Sequence, residues 1–198
     1  MAPGMHRRTY LGTLAAAALA GCVGSPTSDD PATGTTSGFP YTLTNVQTDD
    51  PPVENVTIDV TVTTDFTTDH PARLEVAFTN DGDETRTFAF GSLVPWDAIR
   101  GTHEDNKASL LLSPNAGVTP DEPSADCWQA TDGVALPAVM YEEMLDPGET
   151  VSREFRVLAA HDSQNCHPTG TYRFEDSNYL GEGWGFSVDV ASGTENEG

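Results

Sequence analysis

A period of two in the placement of apolar residues constrains this chain more than any other feature. Val56, Ile58, Val60 and Val62 share one face of an extended segment, and Thr57, Asp59 and Thr61 share the other. Leu74, Val76 and Phe78 alternate with Glu75 and Ala77 in the same way. An extended backbone sends successive side chains to opposite faces, so such runs are half-buried strands. Further strands are expected at 42–46, 85–90, 108–112, 138–144, 150–158, 171–175 and 184–190, and no segment has a helical repeat of useful length. Turn residues punctuate the runs. Asn80-Asp81-Gly82-Asp83 reads as a hairpin turn, since Gly, Asn and Asp tolerate positive φ. Asp146-Pro147-Gly148-Glu149 fits a type II turn, with proline fixing one φ and glycine accepting the positive one, and Pro168-Thr169-Gly170 precedes another strand. Eight or nine short strands predict an all-β domain over 41–190, an antiparallel β-sandwich of immunoglobulin-like architecture, with a disordered tail at 191–198.

Charge narrows the function classes. The 31 acidic residues outnumber the 9 basic ones and give a formal net charge of −22, which repels phosphate backbones and excludes a nucleic-acid binder. Lys107 is the single lysine, and the acids are dispersed instead of gathered in one run. Dispersed carboxylates with almost no lysine are a solvated surface suited to concentrated salt, where the Debye length falls to about 3 Å at 1 M and self-repulsion is screened.

The first 22 residues carry an address. Arg7 and Arg8 precede Thr9-Tyr10-Leu11, and a short apolar run ends in Leu19-Ala20-Gly21-Cys22. About ten apolar residues are too few to cross a bilayer as a helix, so the segment reads as an export signal over 1–21. The paired arginines resemble a twin-arginine signal, although His6 stands where Ser or Thr is usual. Leu-Ala-Gly-Cys resembles a lipobox, which implies lipidation of Cys22 after cleavage. With the dispersed acidity, these motifs resemble those of a haloarchaeal exported lipoprotein. That resemblance implies a protein anchored at the outer face of the cytoplasmic membrane. Residues 22–40, rich in Ser, Thr, Gly, Pro and Asp, then form a flexible tether behind the lipidated cysteine. Asn55-Val56-Thr57 is the one N-glycosylation sequon, which makes Asn55 the modification candidate.

Residues 113–135 break the regular pattern with Pro114, Pro120 and Pro123. Irregular loops of that length in compact domains are functional or tied down. Once Cys22 is lipidated, Cys127 and Cys166 are left to pair in an oxidising compartment. Trp128 then sits beside the bridge, either packing it or presenting an aromatic contact. Trp96 and Trp128 mark the two segments, 91–107 and 113–135, where a binding loop is sought first. The turn at 145–149 followed by Gly170-Thr171-Tyr172 is similar to the closing strands of many surface immunoglobulin-like domains, including those resembling the BsuPI type of proteinase inhibitor; no inhibitory residue is carried over from it.

One stretch gathers chemistry-bearing groups. His161-Asp162-Ser163-Gln164-Asn165-Cys166-His167 brings together two imidazoles, a carboxylate and a thiol, ligand types for copper or zinc. No methionine follows Met144, as a blue-copper site would require, and a disulfide-bonded Cys166 is no thiolate ligand. Acid pairs such as Asp81 and Asp83 occur freely in so acidic a chain, and the Asn80-to-Glu84 turn offers too few ligands to close a calcium site alone. The sequence contains no GxSxG elbow, P-loop or dinucleotide fingerprint. The expectation is a lipid-anchored cell-surface binding or structural module. It has no catalytic activity, cofactor or resident metal, and it meets the membrane through its lipid and a surface protein or glycan through its loops. The first alternative is a metal-binding or redox protein using His161, Cys166 and His167; the second is an inhibitor of secreted proteases.

Overall fold

The structure, a computed structural model, describes residues 38–91, 97–105, 107–135, 141–179 and 182–193. The chain divides into two units, Met1–Thr36 and Ser37–Gly198, and every described residue belongs to the second. Arg7, Arg8 and Cys22 therefore lie outside the described residues, as does Trp96.

Ten strands follow one another among the described residues: β1 Tyr41–Thr48, β2 Val56–Thr64, β3 Arg73–Asn80, β4 Arg86–Phe90, β5 Ile99–His103, β6 Ser109–Ser113, β7 Tyr141–Leu145, β8 Thr150–Ala159, β9 Gly170–Tyr179 and β10 Glu182–Ser192. Eight form one sheet in the order β1-β10-β9-β5-β6-β8-β3-β2, and β4 and β7 form a separate two-stranded ribbon. Every ladder is antiparallel. The two end strands, β1 and β2, come into contact, so the sheet curls nearly into a barrel. Asp65, just past β2, fastens that seam by accepting from Thr42 Oγ1 and from the Leu43 N–H at 3.1 Å. The all-β antiparallel class is as the alternation predicted.

The alternation also chose the inward faces. Leu74, Val76 and Phe78 of β3 are fully buried while Arg73, Glu75, Ala77 and Thr79 between them are not. Tyr172 and Phe174 of β9 and Trp184, Phe186 and Val188 of β10 complete a core in which each large side chain removes enough apolar surface to contribute about 1.5–3 kcal/mol. The Tyr172 hydroxyl reaches back four residues to donate to the Pro168 carbonyl at 2.9 Å, fixing the entry into β9, and burial raises its pKa.

Two local expectations are corrected. Strand β5 was not foreseen, because its inward positions are Ile99, Gly101 and His103, which do not read as an apolar run. Gly101 is there because the Phe174 ring lies against it: a Cβ would come within 2.5 Å of Phe174 Cε1. The Asn80-to-Asp83 turn is not a hairpin, since β3 pairs with β2 and β8 while β4 pairs with β7. It is a corner that carries the chain out to the ribbon. Buried Asn80 pins that corner, its Nδ2 donating to the carbonyls of Glu84 at 2.9 Å and Leu145 at 3.0 Å while its Oδ1 accepts from Gly82 N–H. The type II turn is as expected, with Gly148 at φ 74° and Glu149 N–H donating to the Asp146 carbonyl.

Candidate functional site

The long 113–135 segment is tied down by the bridge the cysteine count predicted. Cys127 and Cys166 are disulfide-bonded, with Cα atoms 5.5 Å apart. Beside the bridge, the Trp128 ring is 1% exposed and its indole N–H donates to the Thr67 carbonyl at 2.8 Å. Trp128 therefore packs the bridge, the first of the two roles expected of it, and does not present its ring to solvent.

His167 is buried in the same corner, against the rings of Phe66 at 4.8 Å and Tyr41 at 5.2 Å. Its Nδ1 lies 3.0 Å from Cys166 Sγ, and Nε2 has no hydrogen-bond partner. Burial pushes the imidazole down to about 4, because the apolar box gives a charged ring no water. The Trp128 carbonyl pulls weakly the other way, but its hydrogen bond goes to the Ala159 N–H. Among the described residues, Cys127, Cys166 and His167 are the three whose donor atoms lie within 4.8 Å of one another. His161 is not with them. It is exposed on the surface, its Nδ1 3.8 Å from Asp162. The chemistry-bearing stretch thus splits into a bridge, a buried ring and a surface ring.

Between the bridge and the β5–β6 hairpin lies a cleft of about 450 Å³ lined by Arg100, Lys107, Ser109, Asp162, Gln164 and Asn165, among others. Its floor is braced from below. Gln129 Nε2 donates to the carbonyls of Ala160 at 3.0 Å and Ser163 at 2.9 Å, while Ser163 Oγ donates to the Ser109 carbonyl at 3.2 Å. Arg100 holds the Asp162 carboxylate through one guanidinium nitrogen, 3.0 and 3.1 Å from its two oxygens, and this hydrogen bond lowers the Asp162 pKa. Sequence reasoning missed the cleft because its walls come from residues more than fifty positions apart. The signal available was Lys107 itself, the chain's one lysine.

Two other candidates are exposed. Asn55 lies at the surface at φ 56°, and its sequon partner Thr57 bonds through its hydroxyl to the Asp81 carboxylate. Ala125 and Asp126, at φ 50° and 58°, form the tip of a two-residue turn closed by reciprocal backbone bonds between Ser124 and Cys127. That geometry belongs to a type I′ turn, which non-glycine residues enter at some cost in strain.

The family model for a domain of unknown function, DUF8130, matches residues 5–179. The chain belongs to that family. No curated protein and no solved structure matches it.

Proposed function

We propose that this DUF8130 protein is a non-catalytic binding module of the cell surface, exported through a twin-arginine-like signal and anchored by a lipid on Cys22. The observation that carries the reading is the fate of the His161-to-His167 stretch. Its thiol is spent on the bridge and one imidazole on a hydrophobic box, while the loop between them is braced into one wall of an open polar cleft. Groups arranged in this way hold a shape for a ligand and leave no thiolate for redox or metal chemistry. The protease-inhibitor alternative has a strained, exposed turn in Ala125-Asp126, but its backbone is left-handed where strand addition to a protease needs extended chain.

An immunoglobulin-like relationship is part of the same proposal. What supports it is that the one sheet can be divided at the β6–β8 ladder into the successions β10-β9-β5-β6 and β8-β3-β2. The Tyr172-to-Pro168 bond also supports it, since a tyrosine corner of that architecture likewise bonds back to the backbone a few residues upstream.

The test is fractionation of cells expressing the wild type and Cys22→Ser, with native and denaturing intact masses of the purified chain. Release of the variant into the medium and no metal lost on denaturation are expected. Continued membrane retention of Cys22→Ser refutes the anchor, and a stoichiometric metal refutes the purely binding role.

A further inference from the structure

The distribution of the few cations points to a ligand class for the cleft. Arg73 is paired with Glu154 at 2.8 Å, Arg173 with Asp49 and Glu175, and Arg100 with Asp162. Arg86 donates to the Glu54 carbonyl and lies over the Phe88 ring, Arg156 donates to the Pro114 carbonyl, and Arg153 is engaged too. Lys107 alone has no hydrogen bond or ion pair among the described residues, in a chain of net charge −22. A single unpaired surface lysine is ordinary. This one stands at a cleft whose backbone is fixed by Gln129, by the Ser109–Ser163 bonds and by the bridge at Cys166, while the Gln164 and Asn165 side chains are exposed and uncommitted. A fixed backbone lowers the ordering cost of binding, which then falls on the uncommitted side chains alone.

Asp162 is already held by Arg100, so the pair neutralises one cation of the lining and leaves Lys107 as its unpaired cation among the described residues. Glu104 and Asp105 flank Lys107 on the same turn and are exposed, so the field around it does not gather free anions; a ligand must also earn contact hydrogen bonds. Carboxamides donate and accept at once, as sugar hydroxyls do, and among the described lining residues Ala108 alone is apolar. The volume falls in the range of about 300–1,000 Å³ usual for small-molecule sites.

We propose that the cleft binds a carboxylate-bearing sugar, a uronate, with Lys107 on the carboxylate and Gln164 and Asn165 on ring hydroxyls. The proposal rests on the binding-module reading and adds the ligand's class. The test is ligand-observed NMR titration of the detergent-extracted full chain with sodium D-glucuronate and with D-glucose at equal ionic strength. Glucuronate is expected to bind saturably and about fivefold more tightly than glucose, the scale of one exposed ion pair. Lys107→Ala should remove that margin and Lys107→Arg restore it; Lys107 is exposed, so neither change threatens the fold. Equal binding of the two sugars, binding unaffected by Lys107→Ala, or no binding of either overturns the proposal. Cys22-dependent retention measured on the same preparations reports separately whether the anchored-module reading stands.

Discussion

His167 should make this protein acid-sensitive in a window that its carboxylates do not explain. In the unfolded chain the imidazole titrates near its ordinary 6.5; in the folded chain burial holds it at about 4. Above pH 6.5 the ring is neutral in both states and contributes no pH dependence. As pH falls below 6.5 the unfolded chain binds a proton that the native state refuses, so stability drops until the native ring also protonates near pH 4. At 1.36 kcal/mol per pH unit the full loss is about 3 kcal/mol, and about 2.5 kcal/mol of it is complete by pH 4.5. The control is His167→Leu, which keeps an apolar body against Phe66 and Tyr41 and removes the unpartnered Nε2. Denaturant unfolding of both proteins at pH 7.5 and pH 4.5, in the same salt, isolates the ring, because the shared carboxylates cancel in the difference. The variant should equal or exceed the wild type at pH 7.5, since an orphaned buried polar atom is gone, and exceed it by about 2.5 kcal/mol more at pH 4.5. Parallel pH dependences for the two proteins would refute the reasoning, for they would mean that the ring has access to water or a proton acceptor.

The bridge and the contact between Gly101 and the Phe174 ring give two further expectations. Replacing both Cys127 and Cys166 by Ala frees a loop with a sequence separation of 39 and should cost about 4 kcal/mol. That lowers the thermal midpoint by about 8–16 °C for a domain of this size, and scanning calorimetry showing a shift under a few degrees would count against it. Gly101→Ala places a Cβ against the buried Phe174 ring and should cost about 1–3 kcal/mol in denaturant unfolding. Unchanged stability would mean that β5 does not lie on β9 in this register.

Strand identity was legible wherever one face is continuously apolar, as in β2, β3 and β10, because the alternation itself records which side meets the core. It failed at β5, where contact with an aromatic ring requires glycine and a buried histidine replaces an aliphatic residue. His103 is accommodated because its Nε2 pairs with the Thr169 carbonyl and its Nδ1 accepts from the Asp105 N–H. Local spacing likewise made Asn80 look like a turn residue and nothing more. Its three carbonyl partners include Leu145 and Asp146, 65 and 66 positions away.

From the sequence alone followed the all-β class and the pairing of Cys127 with Cys166, and on it rest the expectations of no nucleic-acid partner and of an address at Arg7, Arg8 and Cys22. Each of these rests on composition, on period or on short spacing, which a linear chain carries without folding. The tertiary structure decided the rest: that the end strands of an eight-stranded sheet meet, that Trp128 and His167 are buried while His161 is not, and that Lys107 and Asp162 line one braced cleft. Burial and charge pairing depend on which distant segments arrive together. No local pattern around His167 specifies that Phe66 and Tyr41 will close over it, and so the ring's chemistry was settled by packing.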